Sequence, residues 1–164
     1  MKKLIMHWSA GTYAPSFYDK QFYHFLVDGE GAVHKGIYPP EANLNVQDGK
    51  YCAHTGGGNT GAIGVALCGM ANFRSKDDVG KFPIKPKQLE SFLELCARLC
   101  VKYSIPINAK TVMTHYEFGL ANPKTTSAGK VDICYLPPYP TVEKRNVGAF
   151  LRQKIRWYAE KITK

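Results

Sequence analysis

Leu89, Phe92, Leu93, Cys96, Leu99, Cys100 and Tyr103 recur at helical spacing between Pro86 and Tyr103, and this stripe constrains the fold more than any other stretch. A helix with so wide an apolar face has to bury it against another layer. Pro86 suits the helix's first turn, where a missing N–H costs nothing. Short apolar runs supply the second layer. Lys3 to His7 reads as a buried strand, and Phe22 to Asp28 and Ala32 to Gly36 read as two more. Between the latter two, Asp28-Gly29-Glu30-Gly31 predicts a hairpin turn, because its glycines permit positive φ. Ala62 to Leu67 and Val112 to His115 complete the set of strands. Gly11 to Gln21 reads as a loop with one helical turn after Pro15, and residues 38 to 52 read as irregular. The tail from Val147 to Ile162 is a second helix, with Leu151, Ile155, Tyr158 and Ile162 on one side and Arg152, Arg156 and Lys164 around the other. Strands first, then helix, strand and helix, predict an α/β chain whose central mixed β-sheet is flanked by helices.

With 164 residues and 45% hydrophobic content, the chain fits one domain, residues 1–164, with its own core. No apolar stretch reaches the roughly 18–20 residues of a membrane-spanning helix. The start is basic and then apolar, but its apolar part is too short for a signal-peptide core. Synthesis in the cytoplasm without a cleaved leader is therefore expected. Five cysteines is an odd count with no disulfide spacing, and Cys96 and Cys100 read as small buried hydrophobes. The net charge of +9 favours an anionic partner, through attraction that salt screens.

Two apolar runs end in histidine: Leu4-Ile5-Met6-His7 and Val112-Met113-Thr114-His115. Asp132 follows the second in a Gly/Ser-containing loop. Two imidazoles and a carboxylate can supply three zinc ligands and leave the fourth position to water, the pattern of a hydrolytic site. Lys130 stands two residues before the carboxylate, where its ammonium can face a bound substrate. The loop Gly56-Gly57-Gly58-Asn59-Thr60-Gly61 has no GK[ST] ending and precedes a strand, so it is not a phosphate cradle.

Four blocks, in order, resemble the zinc-dependent N-acetylmuramoyl-L-alanine amidases of type 2, which share a fold with the peptidoglycan recognition proteins. They are Ile5-Met6-His7-Trp8-Ser9-Ala10; Phe22-Tyr23-His24-Phe25-Leu26-Val27; His54-Thr55 through Asn59 to Ala62-Ile63-Gly64-Val65-Ala66-Leu67-Cys68-Gly69; and Thr114-His115-Tyr116-Glu117 followed by Gly129-Lys130-Val131-Asp132. The likeness covers about residues 4–135, with the C-terminal helix at about 147–163 beyond it. It implies zinc ligands His7, His115 and Asp132, with Cys134 as a competing third ligand that the Lys-x-Asp spacing disfavours. It implies that Tyr23 orients the attacking water or stabilises charge, and that Lys130 faces the scissile carbonyl. It places His54 at the cleft rim, in contact with substrate or in a structural role, and Asn59 in the same cleft. His24 is expected on the opposite sheet face from Tyr23, and His34 at the surface. Two departures stand out. No acid occupies the Ile63–Gly69 stretch, where some relatives carry a glutamate base. The segment between His7 and Tyr23 is also short for the helix found there in relatives.

The implied reaction is hydrolysis of the amide joining N-acetylmuramic acid to L-alanine in peptidoglycan, by a phage or prophage endolysin that a holin releases to the wall. A zinc-free recognition module, or a cytoplasmic amidase recycling wall fragments, are the alternatives. A lysozyme needs two positioned carboxylates, and Glu30, Glu41 and Glu117 form no such pattern. No helix-turn-helix, RNA-recognition or zinc-finger signature points to specific nucleic-acid binding. The basic C-terminal helix, with Trp157 and Tyr158, offers weak contact with anionic lipid or wall polymer. A monomer is expected.

Overall fold

The Leu4–Trp8 run is buried along its whole length because the strand it forms sits inside the sheet, with a neighbour on each side. The computed structural model describes all 164 residues. Its strands are β1 (Lys3–Trp8), β2 (Phe25–Val27), β3 (Val33–Lys35), β4 (Ala62–Leu67) and β5 (Val112–Thr114). They lie in the order β3-β2-β4-β1-β5. β1 runs parallel to both β4 and β5, and β2 runs parallel to β4, while β2 and β3 form an antiparallel pair. The sheet is therefore mixed, as predicted. β1 and β4 read as continuous apolar runs because parallel interior strands are covered on both faces.

Alternation along the strands sorts side chains between two faces. Leu4, Met6 and Trp8 join Ile63, Val65 and Leu67 in one core cluster with Leu89, Phe92, Leu93, Cys96, Leu151 and Ile155. The last six come from two helices, Pro86–Lys102 and Val147–Ile162, that cover this face. Fully burying each large side chain contributes about 1.5–3 kcal/mol. Gln88 fixes the first of these helices to the sheet: its buried amide donates to the carbonyls of Val27 (3.1 Å) and Cys68 (2.7 Å). Ile5 and His7 point to the other face, where Ile5 packs with Ala62, Met113 and Phe118. That face has no long helix over it, and it carries the site.

Four helices are present. α1 (Phe17–Phe22) is longer than the single turn predicted, and a Ser16–Asp19 capping box starts it. It ends where the Tyr23 N–H bonds to the Asp19 carbonyl, so the strand expected from Phe22 begins only at Phe25. α2 is Pro86–Lys102, and α4 is Val147–Ile162. α3 (His115–Ala121) corrects the reading of His115 as a strand residue: β5 stops at Thr114, which caps α3 in a box with Glu117. The predicted hairpin turn is present, with Asp28 Oδ1 accepting the N–H groups of Glu30 and Ala32, and Gly31 at φ +86°. Pro40–Leu44 adds one 3-10 turn within the stretch read as irregular. Arg152 was read as part of the polar face of α4, but it is buried. Its guanidinium donates to the Val112 carbonyl (3.1 Å) and to both Glu117 oxygens (2.9 and 3.1 Å). All five cysteines are free and buried, and Cys96 and Cys100 pack in the core as expected.

Candidate metal centre

β1 delivers His7 from the middle of the sheet, opposite Ala66 in register. The β5–α3 junction delivers His115, because the strand must break where the Thr114–Glu117 box starts a helix. The loop after α3 returns to bring Asp132 alongside, tied back by the Tyr116 N–H bonding to the Asp132 carbonyl. His7 Nδ1 lies 2.9 Å from Asp132 Oδ2, and His115 Nδ1 lies 3.3 Å from the same oxygen. The three donor atoms all fall within 4.8 Å of one another, and all three residues are buried. His115 and Asp132 line a cleft of about 730 Å³, bordered also by Tyr18, Tyr23, Tyr51 and Lys130, with His7 fully buried behind them. Two imidazoles and one carboxylate are suitable zinc donors, and the cleft side of the group is open to water or substrate.

Burial holds the His7 imidazole below its usual pKa, against the pull of the neighbouring Asp132. Burial pushes the Asp132 carboxyl up, but the two imidazoles facing it outweigh that effect and bring it below the usual carboxylate range. Burial, with Asp132 and Asp19 nearby, raises the Tyr23 phenol well above its ordinary value, so it stays protonated. Its ring sits 5.1 Å from that of His7. Lys130 is exposed on the cleft wall.

For His54, substrate contact and a structural role were both open, and the residue borders the cleft. It is buried, and both its ring nitrogens are engaged by the protein: Nδ1 with Thr55 Oγ1 (2.7 Å) and His7 Nε2 (3.2 Å), and Nε2 with the Ala62 carbonyl (3.1 Å). Gly64 makes room for it, since a Cβ there would overlap the His54 ring. Asn59 also borders the cleft, but its Oδ1 accepts the Thr55 N–H (2.8 Å) and so holds the loop that carries His54. His24 does not lie across the sheet from Tyr23; both border the histidine cluster, with His24 5.5 Å from His54. Its Nδ1 accepts the Gly64 N–H and its Nε2 donates to Asn43 Oδ1, and burial lowers it to about 4. His34 is half-buried and bonded to Asp28 Oδ2 (2.8 Å). Cys134 belongs to the core beneath the helices with Ile133 and Leu136, apart from the donor group. Beside His7, Ala66 is buried and puts no acid on the cleft floor.

Sequence reasoning missed Ser127, which is fully buried. Its Oγ lies 2.9 Å from His115 Nε2 and donates to the Gly56 carbonyl (2.7 Å). Nothing in a Thr/Ser-containing loop marks one serine as buried. The Thr114-x-x-Glu117 spacing, by contrast, is a visible capping signal for α3.

Residues 1–130 match a family described as N-acetylmuramoyl-L-alanine amidase. Among solved structures, an E90A mutant of PlyL matches with a TM-score of 0.53 and 23% identity over 94% of this chain and 84% of that one. A second PlyL structure matches at 0.52 and 18%, over 94% and 82%. Tracheal cytotoxin bound to the ectodomain complex of peptidoglycan recognition proteins LCa and LCx matches at 0.50 and 18%, over 77% and 75%. At these identities the likeness is one of fold. No curated protein sequence matches the chain.

Proposed function

Because the chain belongs to the N-acetylmuramoyl-L-alanine amidase family, we propose that it hydrolyses the amide between the lactyl group of N-acetylmuramic acid and L-alanine in peptidoglycan, with zinc as cofactor. The observation that carries this reading is the meeting of His7 Nδ1, His115 Nδ1 and the Asp132 carboxylate on a cleft floor that Tyr23 and Lys130 overlook. Zinc held by those three residues would lower the pKa of a water and polarise the substrate carbonyl. Lys130 stabilises the oxyanion as water adds to the carbonyl carbon, a role that supplies a few kcal/mol. Tyr23, kept protonated by its burial, donates a hydrogen bond to the reacting oxygens. The C–N bond breaks as a proton of the added water passes to the nitrogen, so that the lactyl group ends as a carboxylate and the stem peptide leaves with L-alanine as its free amine. The +9 net charge assists approach to an anionic wall. No helix is long and apolar enough to cross a membrane. The lytic setting we propose, a phage or prophage endolysin acting on the wall after holin-mediated release, rests on the sequence resemblance.

A second reading, peptidoglycan binding without cleavage, is favoured by Ala66, which leaves the floor without a second carboxylate. Digestion of purified peptidoglycan by zinc-loaded and chelator-stripped protein separates the two. Peptides beginning at L-alanine and appearing only with zinc establish the amidase. Wall binding with no product establishes the recognition module, and cut glycan refutes both.

A further inference from the structure

How the two imidazoles are held follows from proton bookkeeping along two hydrogen-bond chains, and the inference rests on the metal reading above. A carbonyl oxygen only accepts, so the His54 Nε2 that lies 3.1 Å from the Ala62 carbonyl carries a proton. His54 is enclosed and has no carboxylate partner, so it is neutral and its Nδ1 accepts. The Thr55 hydroxyl, at 2.7 Å, spends its proton on that nitrogen, so His7 Nε2 faces only acceptors, Thr55 Oγ1 at 3.3 Å and His54 Nδ1 at 3.2 Å, and is a donor. The second chain has the same logic. Ser127 spends its hydroxyl proton on the Gly56 carbonyl at 2.7 Å, so its Oγ is left to accept from His115 Nε2 at 2.9 Å. In both histidines Nε2 faces away from Asp132 and is committed as an N–H. Nδ1 is then the nitrogen that gives its lone pair to a cation.

We propose that Ser127 and His54 are positioning residues that fix His115 and His7 with Nε2 protonated and Nδ1 aimed at one shared point, so that the metal position is set before the metal arrives. Both chains terminate on backbone carbonyls, at Gly56 and Ala62, which bracket the glycine loop. A main-chain oxygen neither titrates nor rotates away, so it is a firmer anchor than a surface carboxylate. The Thr55 hydroxyl backs the first chain, 2.7 Å from His54 Nδ1 and 3.3 Å from His7 Nε2. Partners of this kind, behind the ligands themselves, orient a metal-binding histidine and typically change affinity 10- to 100-fold when removed.

The test is zinc affinity by chelator competition for the parent and Ser127→Ala, together with nitrogen-15 NMR of the histidine rings. Ser127→Ala should bind zinc about 10- to 100-fold more weakly. The zinc-loaded parent should show slowly exchanging Nε2–H protons on both His7 and His115, and only that of His115 should exchange rapidly in the variant. Equal zinc affinity in the variant, or an unprotonated Nε2 on His115 of the parent, overturns the proposal. If Ser127→Ala does not fold, the ring protonation of the parent decides alone. A parent that binds no zinc refutes the hydrolytic reading and this proposal together, whereas equal affinity in a zinc-binding pair refutes the proposal alone.

Discussion

His7 and His115 are brought to the same point by opposite means. His7 is one residue of a strand hydrogen-bonded on both edges, and β4 and β5 leave it no freedom of position. His115 stands at the seam between a three-residue edge strand and a seven-residue helix. Its place depends on Ser127, on the Thr114–Glu117 box, and on Arg152 reaching from α4 to grip Glu117. One histidine is held by a regular lattice of backbone bonds, the other by a few side chains distant in sequence. A regular element tolerates change at any one neighbour, whereas a seam concentrates the same task in a small number of contacts.

The comparison breaks most severely at the ligand itself. His115→Ala should remove zinc binding and reduce peptide release from peptidoglycan to background, while circular dichroism still reports a folded protein. Loss of the fold along with the metal would show that the seam is structural first. Arg152→Ala comes next. It strips a buried bidentate partner from the partly exposed Glu117 carboxylate, and losing such charged hydrogen bonds costs about 1.5–3 kcal/mol, read as a lower urea midpoint. A shift under 1 kcal/mol would mean that the seam holds without α4. Gly148→Ala attacks the same junction from the other side, since a Cβ there would overlap the Glu117 carboxylate.

The sheet side has a pH signature of its own. His24 is held neutral in the fold down to about 4, below the ordinary 6.5 of the unfolded chain. Between those values the unfolded state binds the proton first, so stability is full above pH 6.5 and falls as pH drops toward 4. The fall is about 3 kcal/mol from this residue. Urea unfolding of the metal-free protein across that window should show it, and His24→Gln should flatten the profile. The smallest effect belongs to Lys130, which is exposed and carries no packing. Lys130→Ala should leave stability and zinc affinity unchanged and lower kcat by about 100-fold, or about 3 kcal/mol. Cleavage at the parent rate would remove it from the mechanism.

The same contrast governs what the sequence disclosed. β4 and α4 lie where their patterns predict them, and α2 ends within one residue of the expected limit, because burial on one face repeats at the period of the element. His7, His115 and Asp132 were legible as a set from residue type and order, and they lie together. The seam was not legible. His115 closes an apolar run and reads as strand, while the Thr114–Glu117 box turns the chain into α3. Arg152 reads as surface because a charge on a helix usually is, and only the arrival of Glu117 beneath it explains its burial. His54 borders the cleft, but nothing local reveals that Gly64 leaves its ring a slot against β4. Ser127 sits in a stretch with no period at all.

The place of β1 in the sheet has a consequence for how the molecule comes into being. It is first in the chain and is flanked by strands that begin at Ala62 and Val112. A strand whose partners are so remote gains little until long loops have closed, which makes such topologies slow to assemble. Until then Leu4–Trp8 is an apolar ribbon with both edges unpaired, the segment most prone to stick to another chain. A growing chain released after α2 would hold His7 with neither His115 nor Asp132. His7, His115 and Asp132 thus meet only once the last strand has docked and the loop after α3 has closed.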